Sequence, residues 1–160
     1  MANCTVKKFI GRSVGLEYVT GCGDAVPTGG WLTVGALNTK AFTIGTDTVD
    51  ATADDNTDNI KEMLATYLNY AISGDGKAKA TAASNQAALI KYLVDEMKAG
   101  LQPTAWLRVT MPDITIVAFM LITDPGSRSA PNADTVTFTF AAEVTATDTG
   151  VDNVIVTDTP

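Results

Sequence analysis

The sequence predicts a mainly β fold: a β-sandwich or partly closed barrel with one flanking α-helix over about residues 84–99. Three observations carry that prediction. Threonine and β-branched aliphatics recur in runs such as TVTFTF, and two substituents on Cβ suit a pleated, half-buried surface. Val136, Phe138, Phe140, Ala142 and Val144 alternate with Thr135, Thr137, Thr139, Ala141 and Glu143, so one face of that strand is apolar and the other polar. The segment SNQAALIKYLVDEMKAG, residues 84–100, holds the clearest helical pattern. Ser84 is its expected N-cap, Ile90, Leu93, Val94 and Met97 its apolar stripe, and Gly100 its stop.

The remaining elements follow from local chemistry. CTVKKFIGR, with Val6 and Phe9, reads as a strand, and the Gly-rich stretch 11–30 as an arm or long loop with a short strand around residues 16–19. Residues 31–52 read as a meander of short strands with a turn at 45–47 and a short strand around Val49. An acidic loop follows. Ile60, Met63, Leu64 and Tyr67 fall at i, i+3, i+4 and i+7, with Thr57 or Asp58 as N-cap, which predicts a short helix, then a strand ending at a Gly74-Asp75-Gly76 turn. After Pro103 come three strands, with turns at Pro112-Asp113 and at 124–132. The last residues form an edge strand or tail within 148–160.

A chain of 160 residues suits one domain spanning 1–160. With 46% hydrophobic and 18% charged residues it is globular rather than disordered. A net charge of -7 opposes affinity for phosphate polyanions. Residues 1–10 lack a basic segment followed by an apolar one, and no apolar stretch is long enough to span a membrane, so the expectation is a chain neither exported by that route nor embedded. Cys4 and Cys22 are too few for a disulfide scaffold and are expected as reduced thiols.

Catalytic chemistry is poorly supplied. The chain contains no histidine, which removes Ser-His-acid and Cys-His machinery and histidine metal sites together. No dinucleotide, phosphate-loop, hydrolase or C-x-x-C signature is present. Asp113, Glu143, Asp95 and Glu96 qualify as acid–base carboxylates by residue type only. The aspartates at 47, 50, 54, 55 and 58 lack calcium-loop spacing, so no cofactor is expected. Trp31 and Trp106 are expected in the core rather than on a stacking platform. What remains is contact: exposed strand edges offer unpaired N–H and C=O groups to a second copy.

NTKAFTIGTDTVDAT at 38–52, the SGDG segment at 73–76, the helix, and the closing run from Asp134 to Gly150 together resemble the major tail tube proteins of long, flexible-tailed bacteriophages over roughly residues 31–150. The resemblance implies a non-enzymatic virion subunit, assembled in the host cytoplasm, that forms hexameric rings stacked into a hollow tail. Tail-tip or baseplate, tape-measure and terminator proteins are the implied partners, and DNA passes without specific binding. With four strands from each subunit in the wall, about twenty-four strands ~4.8 Å apart and tilted ~40° give a lumen of ~40 Å, which admits duplex DNA roughly 20 Å wide. It also implies that loop 47–58, with Asp47, Thr48, Val49, Asp50, Asp54, Asp55 and Asp58, reaches the adjacent ring. Two rivals stand: a monomeric β-sandwich binding or adhesion module with an exposed Trp31 or Trp106, and the tube of a contractile injection device.

Overall fold

The computed structural model describes residues 11–53 and 60–159. The strands are β1 (Gly15–Thr20), β2 (Leu32–Thr33), β3 (Leu37–Asp50), β4 (Met63–Lys77), β5 (Thr104–Thr110), β6 (Ile114–Asp124), β7 (Arg128–Ser129), β8 (Thr137–Val144) and β9 (Val154–Asp158). One α-helix, α1 (Gln86–Lys98), lies between β4 and β5. The fold is mainly β with a single helix, as the alternation and the helical stripe predict. The nine strands of the described residues join one antiparallel sheet, ordered β2-β1-β5-β6-β8-β4-β3, with β7 on β8 and β9 on β6. That sheet is not closed into a barrel.

A short connection dictates its shape. The seven strands of the main path would place β2 and β3 about 29 Å apart if the sheet were flat. Yet β2 ends at Thr33 and β3 begins at Leu37, a reach of at most ~15 Å. The sheet therefore curls until its two ends face each other. The connector is bonded to both: Val34 N donates to Leu16 O at 3.0 Å, and Ala36 O accepts Lys77 N at 3.1 Å. Between the two halves lies the core, where Leu16 and Val109 of one half meet Phe42 and Ile72 of the other.

The crossing explains a pair of glycines. Gly74 and Gly76 do not form the expected turn; both lie inside β4, on its inward face. A Cβ on Gly74 would sit 2.8 Å from Thr39 O, and one on Gly76 would overlap the Ala36 carbonyl. Close backbone approach, not a turn, requires glycine here. Fully buried Gln86 secures the same corner. Its amide donates to Gly35 O and Lys77 O, each at 3.0 Å, while its carbonyl accepts Lys79 N at 2.9 Å.

The helix starts one step later than predicted. Ser84 Oγ bonds back to Thr81 O at 2.8 Å, and Asn85, at φ 55°, is the N-cap. Gly100, at φ 73°, ends the helix as expected. The buried positions of α1 are Gln86 and Leu89, whereas Val94 and Met97 of the predicted stripe are exposed. The Tyr92 hydroxyl donates to Thr104 O at 2.6 Å. Burial, then the charges of Glu96 and Cys22, push its pKa up to about 12.

Two further expectations are corrected. Residues 31–52 are not a meander: β3 runs unbroken for 14 residues, straight through Gly45. The helix expected from Ile60 to Tyr67 is absent: residues 60–62 are irregular and β4 begins at Met63. A register shift occurs where Asp47 pairs Tyr67 and Thr48 pairs Ala65. The bulge leaves Thr66 over and turns Leu64 and Tyr67 onto one strand face, which reproduces helical i, i+3 spacing in a strand. The expected strand in residues 1–10 and the caps at 57 and 58 lie outside the described residues.

The corner between β6 and β8 is organised by Asp124. Its carboxylate accepts Gly126 N at 3.0 Å, Ser127 N at 2.8 Å and Thr139 Oγ1 at 2.6 Å. Burial opposes ionisation, but the bonds from Thr139, Ser127 and Gly126 outweigh it and hold the pKa below the usual Asp value.

Two predictions arise. Gly76→Ala should lower the unfolding free energy by about 2–3 kcal/mol in urea titration, because backbone must shift to admit the methyl. For Asp124 the folded pKa lies below the unfolded one, so its stabilisation is complete above the ordinary value of about 3.9 and is lost as pH falls through the folded value. Thermal melts from pH 6 to pH 2 should show a shallower acid decline for Asp124→Asn than for the wild type.

Candidate assembly surface

FTIGTDTV is rich in threonine and other β-branched residues, and TYLNYAI answers across the ladder, so β3 and β4 pair as one long ribbon. Strand β8 supports β4 only from Ala71 to Lys77. Beyond that, the pairs from Ile44 with Tyr70 to Asp50 with Met63 form a two-stranded hairpin that projects ~24 Å from the sheet. It is held by its own bonds. Asn69 Nδ2 donates to Asp47 Oδ1 at 2.6 Å, Thr66 Oγ1 to Asp47 O at 3.1 Å, and Ala51 N to Glu62 O at 2.8 Å. Asp50 accepts from Thr52 N and Oγ1 at 3.0 and 2.5 Å, and Lys61 Nζ lies 3.6 Å away. The Thr52 hydroxyl, then its amide, hold the Asp50 carboxyl below its usual pKa.

The hairpin is apolar on both faces. One carries Ile44, Met63 and Leu68; the other, past the bulge, carries Val49, Leu64 and Tyr67. All are exposed, Tyr67 to 74%. A hairpin of this length is marginal alone in water, and clustered exposed apolar side chains mark contact surfaces. The outer edge of β3 and the β4 edge from Met63 to Tyr70 have no strand partner among the described residues. Both offer unsatisfied ladder groups.

A second surface is smooth rather than apolar. On the outward face of β3, β4 and β8, Thr43, Ala71 and Glu143 lie in register, as do Ala41, Ser73 and Ala141, and Thr39, Asp75 and Thr139. It carries small and polar side chains with two acids, and Lys77 at its end.

The predicted site residues divide. Asp47, Thr48, Val49 and Asp50 fall in the last part of β3, in strand rather than loop, while Asp54, Asp55 and Asp58 lie outside the described residues. The apolar residues Ile44, Met63, Leu64, Tyr67 and Leu68 were not singled out as a contact surface: Met63, Leu64 and Tyr67 carry helical spacing, and Ile44 and Leu68 read as ordinary strand residues.

The acid–base candidates do not converge. Asp95 pairs with Lys91 at 3.9 Å on exposed helix, Asp113 sits in the β5–β6 turn, and Glu143 is on the smooth face. No group of three or more Cys, Asp or Glu gathers among the described residues. Trp106 is 1% exposed, packs on Phe119 at 5.2 Å and donates to Cys22 O at 3.2 Å. Half-buried Trp31 lies under the Arg108 guanidinium at 4.4 Å, and Arg108 is clamped by Glu17 at 2.5 Å. Cys22 is an exposed free thiol. No helix among the described residues is long and apolar enough to cross a membrane.

The fold has counterparts among solved structures. The fold is one that tail tubes use. A chain from the tail of an empty gene transfer agent particle, of C6 symmetry, superimposes with a TM-score of 0.67 at 17% identity, over 96% of this chain and 100% of that one. The SPP1 tail tube matches with a TM-score of 0.56 at 16% identity, over 86% of this chain and 76% of that one. A chain of the anti-feeding prophage tube terminating cap matches with a TM-score of 0.62 at 8% identity, over 99% and 97%. No protein-family description and no curated protein sequence matches.

Replacing Leu64 and Tyr67 together by serine should leave the thermal midpoint of the free subunit nearly unchanged, since exposed sites change stability by about 0.5 kcal/mol or less. It should also lower binding of a hydrophobic dye. A large loss of stability would show that these side chains pack within the subunit.

Proposed function

We propose that this chain is a single-domain, non-catalytic structural subunit that forms hexameric rings stacking into the hollow tube of a phage-type tail, a conduit for DNA during ejection. The observation that carries the reading is the β3–β4 hairpin: ~24 Å of ribbon with both edges open and both faces apolar. Such an element is marginal alone and gains when neighbouring copies cover it. The fold likeness to tail tubes, including one tail of C6 symmetry, supports a six-membered ring. In this reading the open edges join copies laterally. The hairpin, with Asp47, Thr48, Val49 and Asp50 and the neighbouring Asp54, Asp55 and Asp58, joins rings axially.

The smooth face of β3, β4 and β8 is the face we assign to the lumen. Asp75 and Glu143 give it negative potential, which keeps a DNA polyanion from adhering. The tail is then the site of the protein in the virion, after assembly in the host cytoplasm. A terminating cap and a baseplate, structures in which similar chains occur, are the partners expected at its ends, with a tape-measure protein inside. An adhesion module would need an exposed aromatic platform. The burial of Trp106 and the Arg108 cover on Trp31 oppose it.

Negative-stain images of the purified chain at high concentration should show hollow rods or rings, and uniformly monomeric particles with the tail partners present would sink the proposal. Asp75→Lys with Glu143→Lys should spare the tube yet slow genome delivery. Delivery at the wild-type rate would remove these acids from the lumen.

A further inference from the structure

We propose that the tip face of the hairpin, formed by Val49, Leu64 and Tyr67, docks on the C-terminal end of α1 of a second copy and the chain just beyond it, at Val94, Met97 and Leu101. The proposal rests on the tube reading and names the surface that receives its hairpin.

The exposed large apolar residues are not scattered. Most lie on the hairpin, and the next cluster is Val94, Met97 and Leu101, exposed to 38%, 57% and 57%. These two clusters sit at opposite ends of the subunit. The ribbon leaves the sheet beyond the pair of Ala71 with Glu143, near the C-terminal end of β8. Helix α1 is tied to the other end. Gln86 bonds to Lys77 O, where β4 finishes beside Thr137, and Tyr92 bonds to Thr104 O, where β5 begins. Ile90 also lies beside Gly126 and Phe138 at that end.

The two surfaces are complementary in charge. Asp47, Asp50 and Glu62 border the hairpin tip. Lys91 and Lys98 border the helix patch, and Lys98 makes no ion pair among the described residues. Asp50 with Lys61 and Lys91 with Asp95 pair within the chain, which leaves Asp47 and Glu62 to meet Lys98. Because donor and acceptor are different patches at opposite ends of one chain, each copy can give and receive. The contact is heterologous, and its repetition extends a stack rather than closing a dimer.

End-blocked variants test this. M97D/L101D keeps its hairpin and loses its acceptor; L64D/Y67D keeps its acceptor and loses its hairpin. All four sites are exposed, and matching thermal midpoints would confirm that both variants fold. Each variant alone should fail to stack, with association weakened at least ~30-fold. An equimolar mixture should form two-layer particles that grow no further, seen by sedimentation velocity and negative stain. Rods of M97D/L101D as long as wild-type rods, or a mixture no larger than its components, would overturn the docking while leaving the tube reading intact. A wild-type chain that forms no rods or rings with its tail partners present would overturn both.

Discussion

The short connector between β2 and β3 governs this subunit. Residues 34–36 must carry the chain from one margin of a seven-strand path to the other, and no flat sheet allows that. The curl, the enclosed core and the inward glycines of β4 all answer that one demand. Gln86 makes the crossing permanent: its three bonds satisfy polar groups that the crossing leaves inside, where an unpaired amide would cost about 1–3 kcal/mol.

Curling also decides what stays outside. Once β1, β5 and β6 face β4 and β8 across Leu16, Ile72 and Phe140, no interior remains for the outer half of the β3–β4 ribbon. Its apolar side chains cannot reach this core. They and its edges are left for neighbours, whereas the small and polar outward face of β3, β4 and β8 asks for no cover. An adhesive hairpin and a smooth wall on one chain are what a tube subunit requires, since it must grip its own kind and release what passes through it.

Much of the β architecture was legible. The alternation of Val136, Phe138, Phe140 and Ala142 named the inward face of β8, and Phe138, Phe140 and Ala142 are buried. The strands after Pro103 and the Gly100 helix stop were equally plain, because each depends on period or on backbone handedness. Errors concentrated where a residue type has two physical uses. Gly74 and Gly76 suggested a turn but admit a crossing backbone. Gly45 suggested the start of a turn but sits mid-strand. Leu64 and Tyr67 carried helical spacing because a bulge at Thr66 realigned a strand. The contact surface was legible only in part: Asp47 to Asp50 were singled out, the apolar residues beside them were not.

By itself the sequence determined composition-level facts and local periods: a β-rich chain without histidine, one helix ending at Gly100, and an alternating strand near the C-terminus. These depend on neighbours a few residues away, so a window of sequence contains them. The tertiary structure alone decided that β3 is one long strand, that α1 buries Gln86 and Leu89 while exposing Met97, and that the hairpin stands free of the core. Each of those depends on pairing between distant residues, such as Asp47 with Tyr67 or Ala36 with Lys77. Long-range hydrogen bonding overrode local preference there, because a backbone group satisfied by a partner strand gains more than a side-chain period can offer.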